Sequence, residues 1–553
     1  MPAEVRRDHR RTATSGVGMA GAPAAVPAAS VSAAPTDAFH VDPAMPVLVG
    51  VGEVTDLETP AERGRSPCEL IAQAARLALD DSGAAAGLAG AIDSVAVVRL
   101  FADTSPRFAS AIGKSANPPR SVARRLGLPN VATEVYTGSG GNMPQVLVSH
   151  FAERIARGEA RAVLIAGGEA LRTQHGVLRA GLPVSWAEEP GGTPEFIGDP
   201  RRGWTDHEER HGLRAAIASY PLIENAIRGA RGRGVAEHLQ AMGELMARLA
   251  AVARDNPLAT RREGLTARRL ATVDADNRWI GFPYPRFMNA NAFIDQSAAL
   301  VMTSVGQARE LGIPVSRWVY LHGCAEGHDH WHVSERPEIH RSPAIRAVAA
   351  RAFGMAGKTL ADIDLIDLYS CFPSALEVAC AEVGLAEDDP RGLSLTGGLP
   401  FFGGPGNNYV THAIAHMVRA LRARPGRLGL VTANGNYLTK HAWAVYGSAP
   451  PAGPWRREEP ARLQAELDRL PTAPFTEQPA GAARIESYTV LHGRHGPEQG
   501  IVFGRLQADG RRFIALTPSD AATLNRLQDQ EALGLPGMVH GADGLNQFVP
   551  AWS

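Results

Sequence analysis

The chain has 553 residues, 44% of them hydrophobic and 20% charged, with 56 basic against 57 acidic side chains. At ~100–200 residues per domain this is too long for one core and points to two to four compact units. A net charge of −1 excludes the broad cationic field of a general nucleic-acid binder, and no run approaches the ~18–20 consecutive apolar residues of a membrane span. Only Lys114, Lys358 and Lys440 are lysines; the other basic residues are arginines. The four cysteines (Cys68, Cys324, Cys371 and Cys380) form neither a CxxC pair nor a disulfide framework, which suits a reducing cytoplasm. The expectation is a soluble cytoplasmic protein with no nucleic-acid or membrane partner.

Residues 1–43 carry early arginines and then Ala, Pro, Ser and Gly, with almost no large apolar side chains. They read as a disordered tail, with an export signal as the alternative. From Val47 onward short apolar runs alternate with amphipathic segments. Strands are predicted at Val47–Glu53, Ile92–Leu100 and Ala160–Ala166, with helices over Pro67–Asp81 and Asn142–Arg157. The order returns later: strands at Val315–His322, Ile363–Leu368 and Leu428–Thr432, with helices at Ser342–Gly354, Pro373–Val383 and Thr411–Arg422. This predicts an α/β fold of two similar halves, 44–188 and 287–455, built on a largely parallel sheet. Between them 189–286 reads as a helical excursion rather than a further sheet. A polar helix and a Pro-containing linker fill 456–479. Three strand-like runs and a helix at Ala521–Leu533 then predict a small β-barrel domain over 480–553.

Four glycine- or polar-rich loops fall at strand ends, where α/β sheets place their sites. They are Tyr136-Thr-Gly-Ser-Gly-Gly-Asn142, Tyr369-Ser-Cys-Phe372, Phe402-Gly-Gly-Pro-Gly-Asn-Asn-Tyr409 and Thr432-Ala-Asn-Gly-Asn436. The first opens a helix at Asn142, whose unpaired N–H groups can hold an oxyanion. Thr137 reads either as a nucleophile or as a loop hydroxyl bonding backbone. Tyr369 reads as an oxyanion donor or acid/base, or else as an aromatic packed at a sheet edge. Cys371 reads first as a buried small residue. His328-Asp-His-Trp-His332 reads as a surface loop, and no metal site is expected. His412 and His416, four apart on a helix, read as a packed face.

These loops, with Gly158–Glu169, Asn291-Ala-Phe-Ile-Asp295-Gln-Ser-Ala-Ala-Leu and Asp362-Ile-Asp-Leu-Ile-Asp-Leu-Tyr-Ser-Cys-Phe372, resemble the thiolase superfamily. Within it the chain is similar to the sterol-carrier-protein-type branch and to thiolase-like proteins of type 1, which carry an extra C-terminal domain. The resemblance implies a duplicated βαβαβαββ core with a helical loop domain. It also implies CoA or acyl-CoA as substrate, no permanently bound cofactor, and an acyltransferase class, with a homodimer or a monomer as the assembly. Thr137 then stands for the nucleophilic cysteine, Gly403-Gly404-Pro405 for Gly-His-Pro, Thr432 for the second cysteine and Tyr369 for a histidine.

A threonine without a base is a poor nucleophile toward a thioester, so a retro-aldol lyase on a hydroxyacyl-CoA using Tyr369, or a non-catalytic acyl-CoA binder, are the alternatives. The expectation is that Thr137, Tyr369, Gly404 and Thr432 converge on one pocket. Asn142, Cys371, Gly403, Asn407, Asn408 and Asn434 would help to hold the substrate there, and activity should rise with pH if the Tyr369 phenolate is the base.

Overall fold

The computed structural model describes residues 41–104, 108–542 and 544–552. The expected N-terminal tail lies, up to residue 40, outside the described residues.

A ten-stranded sheet forms the core, built from β1 (Pro46–Thr55), β2 (Ser94–Val97), β3 (Thr133–Thr137), β4 (Ala162–Ala170) and β5 (Glu195–Ile197), then β8 (Asp295–Ser304), β9 (Val319–His328), β10 (Leu365–Asp367), β11 (Leu428–Gly435) and β12 (Lys440–Gly447). Two short strands between them, β6 (Trp279–Gly281) and β7 (Tyr284–Pro285), belong elsewhere. The strand order is β10-β11-β12-β9-β1-β8-β4-β2-β3-β5.

The duplication is visible in this order. In one half β2–β4 is parallel while β4–β8 and β8–β1 are antiparallel; in the other β10–β11 is parallel while β11–β12 and β12–β9 are antiparallel. β1 and β9 join the halves. The sheet is therefore mixed rather than largely parallel. Strand–helix–strand alternation produces the parallel neighbours, but β12 returns from β11 through a tight turn and β8 comes back from the long excursion, and both must run the other way.

Helix starts repeat as well. Ser66 and Ser342 each cap a helix (Pro67–Asp81 and Pro343–Ala356) with a side-chain oxygen, and each is followed by proline at the first helical position. Each helix also lies unusually close to the first strand of its half. A Cβ on Gly52 would strike the Ala74 carbonyl, and one on Gly323 would strike that of Ala352. Two central helices, Met143–Ala156 and Tyr409–Ala423, touch strands of both halves. Tyr446 Oη of β12 donates to Gln145 Oε1 over 2.6 Å, and His412 Nδ1 lies 2.7 Å from Glu53 Oε1 of β1. The sheet thus curls around them, which is why β4 is buried along its whole length.

The C-terminal strands are β13 (Gly481–His492), β14 (Pro497–Leu506), β15 (Arg512–Leu516), β16 (Pro536–Ala542) and β17 (Leu545–Pro550). They close into a barrel in the order β13-β14-β15-β17-β16, with β16 returning to β13. The barrel has five strands where sequence suggests three, because β16 and β17 alternate exposed and buried residues around Gly537 and Gly541 and carry little continuous apolar signal. Its helix is Ala521–Asp529, shorter than expected, and buries Leu524 and Leu527 against β14.

The excursion is mostly helical, yet it too contains strand. β5 extends the main sheet beside β3, and β6 with β7 adds to the barrel sheet at Leu491–Gly281. No helix among the described residues is long and apolar enough to cross a membrane.

Candidate functional site

The two threonines do the same structural work. Thr137 is fully buried; its Oγ1 accepts from Arg99 N (3.0 Å) and donates to Gly138 O (2.9 Å). Thr432 Oγ1 accepts from Tyr369 N over 2.9 Å. Each hydroxyl ties down the chain just beyond a parallel neighbouring strand, β2 for one and β10 for the other. Neither is presented as a nucleophile.

The residue of this loop that faces Tyr369 and Asn434 is Gly141, which directly precedes the N-cap of the Met143–Ala156 helix. A Cβ there would run into Tyr369 Oη and lie 2.7 Å from Asn434 O. Position 141 itself therefore cannot carry a nucleophilic side chain. Tyr369, Cys371 and Asn434 close the other side, all nearly buried. Tyr220, from the helix Ala216–Ala230 of the excursion, completes the junction. Its ring stacks on Phe372 at 4.4 Å, and its Oη accepts from Asn434 Nδ2 (2.8 Å) and donates to Asn436 O (3.1 Å).

The turn after β11 is strained, with Leu438 at φ +56°, and Tyr220 Oη accepts its N–H (3.3 Å). A branched residue held in the left-handed region beside a candidate site is stored strain that the surroundings maintain.

Asn407 is a structural clamp: its Oδ1 accepts from Gly140 N (2.9 Å) and its Nδ2 donates to Arg99 O (2.8 Å) and Thr104 Oγ1 (3.1 Å). Asn408 Oδ1 accepts from Thr411 Oγ1 over 2.6 Å, while its Nδ2 is buried without a partner. Asn142 Oδ1 and Asn434 Oδ1 are likewise buried and unpartnered. Gly403 and Gly404 do not join the junction; a Cβ on Gly403 would meet Gln296, and Gly404 N donates to Asn291 O (2.8 Å). The structure thus brings the helix start, Tyr369–Phe372, Asn407–Asn408 and Thr432–Asn436 together, and leaves the Gly403–Gly404 turn against other partners.

Burial pushes the Tyr369 phenol well above its ordinary range, with Cys371 adding to it, and pushes the Cys371 thiol up to about 12. Tyr369 is therefore a neutral donor, and a phenolate base acting near neutral pH, with the rise in activity it would bring, is not supported. Lys440, absent from the sequence reading of the site, stands here as well. Its Nζ donates to Ser139 O, and burial lowers its pKa to about 8. The signal that could have found it is rarity: one of three lysines in an arginine-rich chain, four residues after Asn436.

Other candidates separate from the junction. His328 closes β9, and Asp329 and Trp331 are buried, so the His328–His332 segment is not a surface loop. Its histidines diverge: His328 Nδ1 meets Asp329 O (2.8 Å), His330 Nε2 meets Pro471 O (2.8 Å) and His332 Nδ1 meets Glu335 (3.3 Å). Proximity to the β9–β12 pairing draws the segment inward. His412 and His416 pack on Glu53, whose carboxyl both histidines hold far below its ordinary range against the burial that opposes it.

Glu224, His238 and Glu377 are buried with ligand atoms within 4.8 Å of one another and could in principle share a cation. Hydrogen bonds already occupy them: Glu224 to His238 Nε2 (2.6 Å) and Tyr284 Oη (2.6 Å), Glu377 to Arg231 (2.9 Å). Burial raises both carboxyls, which lets the pair hold a proton.

The family model for the thiolase-like protein type 1 additional C-terminal domain matches residues 462–544, and the thiolase C-terminal domain-like model matches 325–394. The crystal structure of a monomeric SCP2-thiolase-like protein type 1 from Mycobacterium smegmatis aligns over 92% of this chain and 100% of its own, with 39% identity and a TM-score of 0.78. The chain belongs to the SCP2-thiolase-like protein type 1 family.

More distant members of the fold are the Ltp2–ChsH2(DUF35) aldolase (21% identity, 73% of this chain and 98% of that one, TM-score 0.53) and the dimeric peroxisomal thiolase of Saccharomyces cerevisiae (14%, 74% and 98%, 0.53). A 3-ketoacyl-CoA thiolase of Erwinia tasmaniensis is 28% identical over 159 residues, which are 26% of this chain and 35% of that thiolase. This thiolase-like chain therefore spans about a third of the length of that relative in the match.

Proposed function

We propose that this thiolase-like chain binds an acyl-CoA with its thioester carbonyl at the start of the Met143–Ala156 helix, and that it catalyses no Claisen condensation. One observation carries the reading: the position at the helix start that faces Tyr369 and Asn434 is Gly141, which leaves backbone donors for an oxyanion and neither a cysteine nor any other side chain at that position. The neutral Tyr369 phenol and the helix-start amides can polarise a carbonyl. Both threonine hydroxyls are committed to backbone. CoA is substrate or ligand here rather than a resident cofactor. The monomeric state described for the Mycobacterium smegmatis relative, and a cytoplasmic location, extend to this chain under the same proposal.

Calorimetric titration with CoA, acetyl-CoA, a long-chain acyl-CoA and a steroid-CoA tests the reading. At least one acyl-CoA should bind more tightly than CoA, and acetoacetyl-CoA should not be cleaved by added CoA. Absence of binding by all four would overturn it.

Tyr369 favours a second reading, a retro-aldol lyase on a hydroxyacyl-CoA, because its phenol is aimed at Gly141. If a lyase activity is found, Tyr369→Phe should abolish it while leaving acyl-CoA affinity within about threefold. Retained turnover would exclude this role.

A further inference from the structure

We propose that Lys440 is an acyl acceptor, its amine attacking a thioester carbonyl held at the start of the Met143–Ala156 helix and keeping the acyl group as an amide. The proposal rests on the acyl-CoA reading above and names the group that reacts there.

Lysine is rare in this chain, and the three lysines are placed differently. Lys114 is 48% exposed and ion-paired to Asp103, and Lys358 is exposed. Lys440 is 7% exposed. It opens β12 opposite His328 of β9, and its ammonium lies 5.6 Å from the Trp331 ring centroid. No carboxylate among the described residues forms an ion pair with it, and its bond is to the Ser139 carbonyl. A Cβ added to Gly140 would lie 2.9 Å from its Nζ, so the amine stands one residue from Gly141.

The amides of Gly141 and Asn142 have no acceptor among the described residues, and the buried Asn142 Oδ1 has no donor. With glycine at 140 and 141, no side chain separates these groups. An oxyanion would bond the two amides, and Asn142 Oδ1 would accept from the attacking nitrogen.

The step balances without a co-reactant. The Nζ–C bond forms, the C–S bond breaks, and the proton lost from nitrogen passes to the leaving thiolate, giving an Nζ-acyl lysine and a free thiol. The neutral amine is the nucleophile, and the lowered pKa makes it available. The charged groups facing it are Asp199 and Arg201, in the segment after β5, and His328 of β9. Asp199 favours the ammonium and Arg201 opposes it, and the rate should climb as pH rises through about 8.

The full chain is incubated with acetyl-CoA and, in parallel, with S-acetyl-N-acetylcysteamine, a thioester without the nucleotide. Peptide mass mapping then follows Lys114, Lys358 and Lys440. The expected result is an initial acetylation rate at Lys440 roughly tenfold or more above that at Lys358, faster with acetyl-CoA than with the truncated thioester. Preference for Lys440 with the truncated thioester but not with acetyl-CoA supports the acceptor role and overturns the CoA reading. Rates at Lys440 no higher than at Lys358 with both reagents overturn the acceptor role, even if acetyl-CoA raises the melting temperature.

Discussion

Thr432 and Thr137 are bound to backbone, and their substitution should be felt as stability. Thr432→Val leaves the Tyr369 N–H buried without its acceptor, and urea unfolding should show a loss of about 1–3 kcal/mol with acyl-CoA affinity little changed. Glu169 is a residue of the opposite kind. Burial pushes its carboxyl up to about 8, and it accepts the Phe101 N–H over 2.8 Å. Because the folded value exceeds the unfolded one, the protonated form favours folding. That contribution is complete below the unfolded pKa of 4.5 and declines as pH rises toward about 8. Glu169→Gln should flatten this part of the profile and raise stability relative to the parent at pH 8, measured by denaturant midpoints at pH 5 and 8. Equal midpoint changes for parent and variant between those pH values would show that Glu169 is not the source.

At the scale of elements, the close approach of each first strand to its helix sets the geometry that delivers the strand ends. Gly323 of β9 has no room for a side chain below the Ala352 carbonyl. Gly323→Ala should therefore cost about 1–3 kcal/mol, as overpacking does. Gly354, inside the same helix with open space around it, is the control: Gly354→Ala should be neutral or stabilising by about 0.5–1 kcal/mol. Thermal melts of the two variants in parallel decide the point. The glycine-rich loops were legible because strand-end glycines before a helix mark a site. Which of the positions from Thr137 to Gly141 faces Tyr369 was not legible, since that depends on where the first helical turn begins.

Across the whole molecule, the barrel is tied to the core through a buried arginine. Arg512 of β15 bonds Glu486 of β13 through Nε (2.7 Å) and donates to the carbonyls of Ser334 and Pro337 (3.0 Å each) in the segment after β9. Arg512→Leu leaves those carbonyls without their buried donor, while Glu486 keeps Arg505 (2.9 Å), and should cost about 1–3 kcal/mol. Calorimetry should then resolve a barrel transition below that of the core, while Arg511→Leu, on an exposed pair with Asp509, should melt as the parent does. A single unshifted transition for Arg512→Leu would mean that the other contacts, among them Asn225 Nδ2 to Tyr488 O (2.8 Å) and Arg228 Nη2 to Glu531 Oε1 (3.0 Å), hold the barrel without Arg512.

The duplicated α/β core, the extra C-terminal barrel and the absence of a cysteine–histidine pair at the strand-end loops were determined by sequence alone, because hydrophobic period, glycine placement and residue identity are local properties. The mixed sheet, the two further barrel strands, the backbone bonds of Thr137, the meeting of Gly141 with Tyr369, and Tyr220 and Lys440 at the junction were decided only by tertiary structure. Tyr220 lies 214 residues from Asn434, and Lys440 lies 301 from Ser139. No spacing in the chain encodes such contacts; they exist because the sheet curls around two central helices and brings both sets of strand ends to the same place.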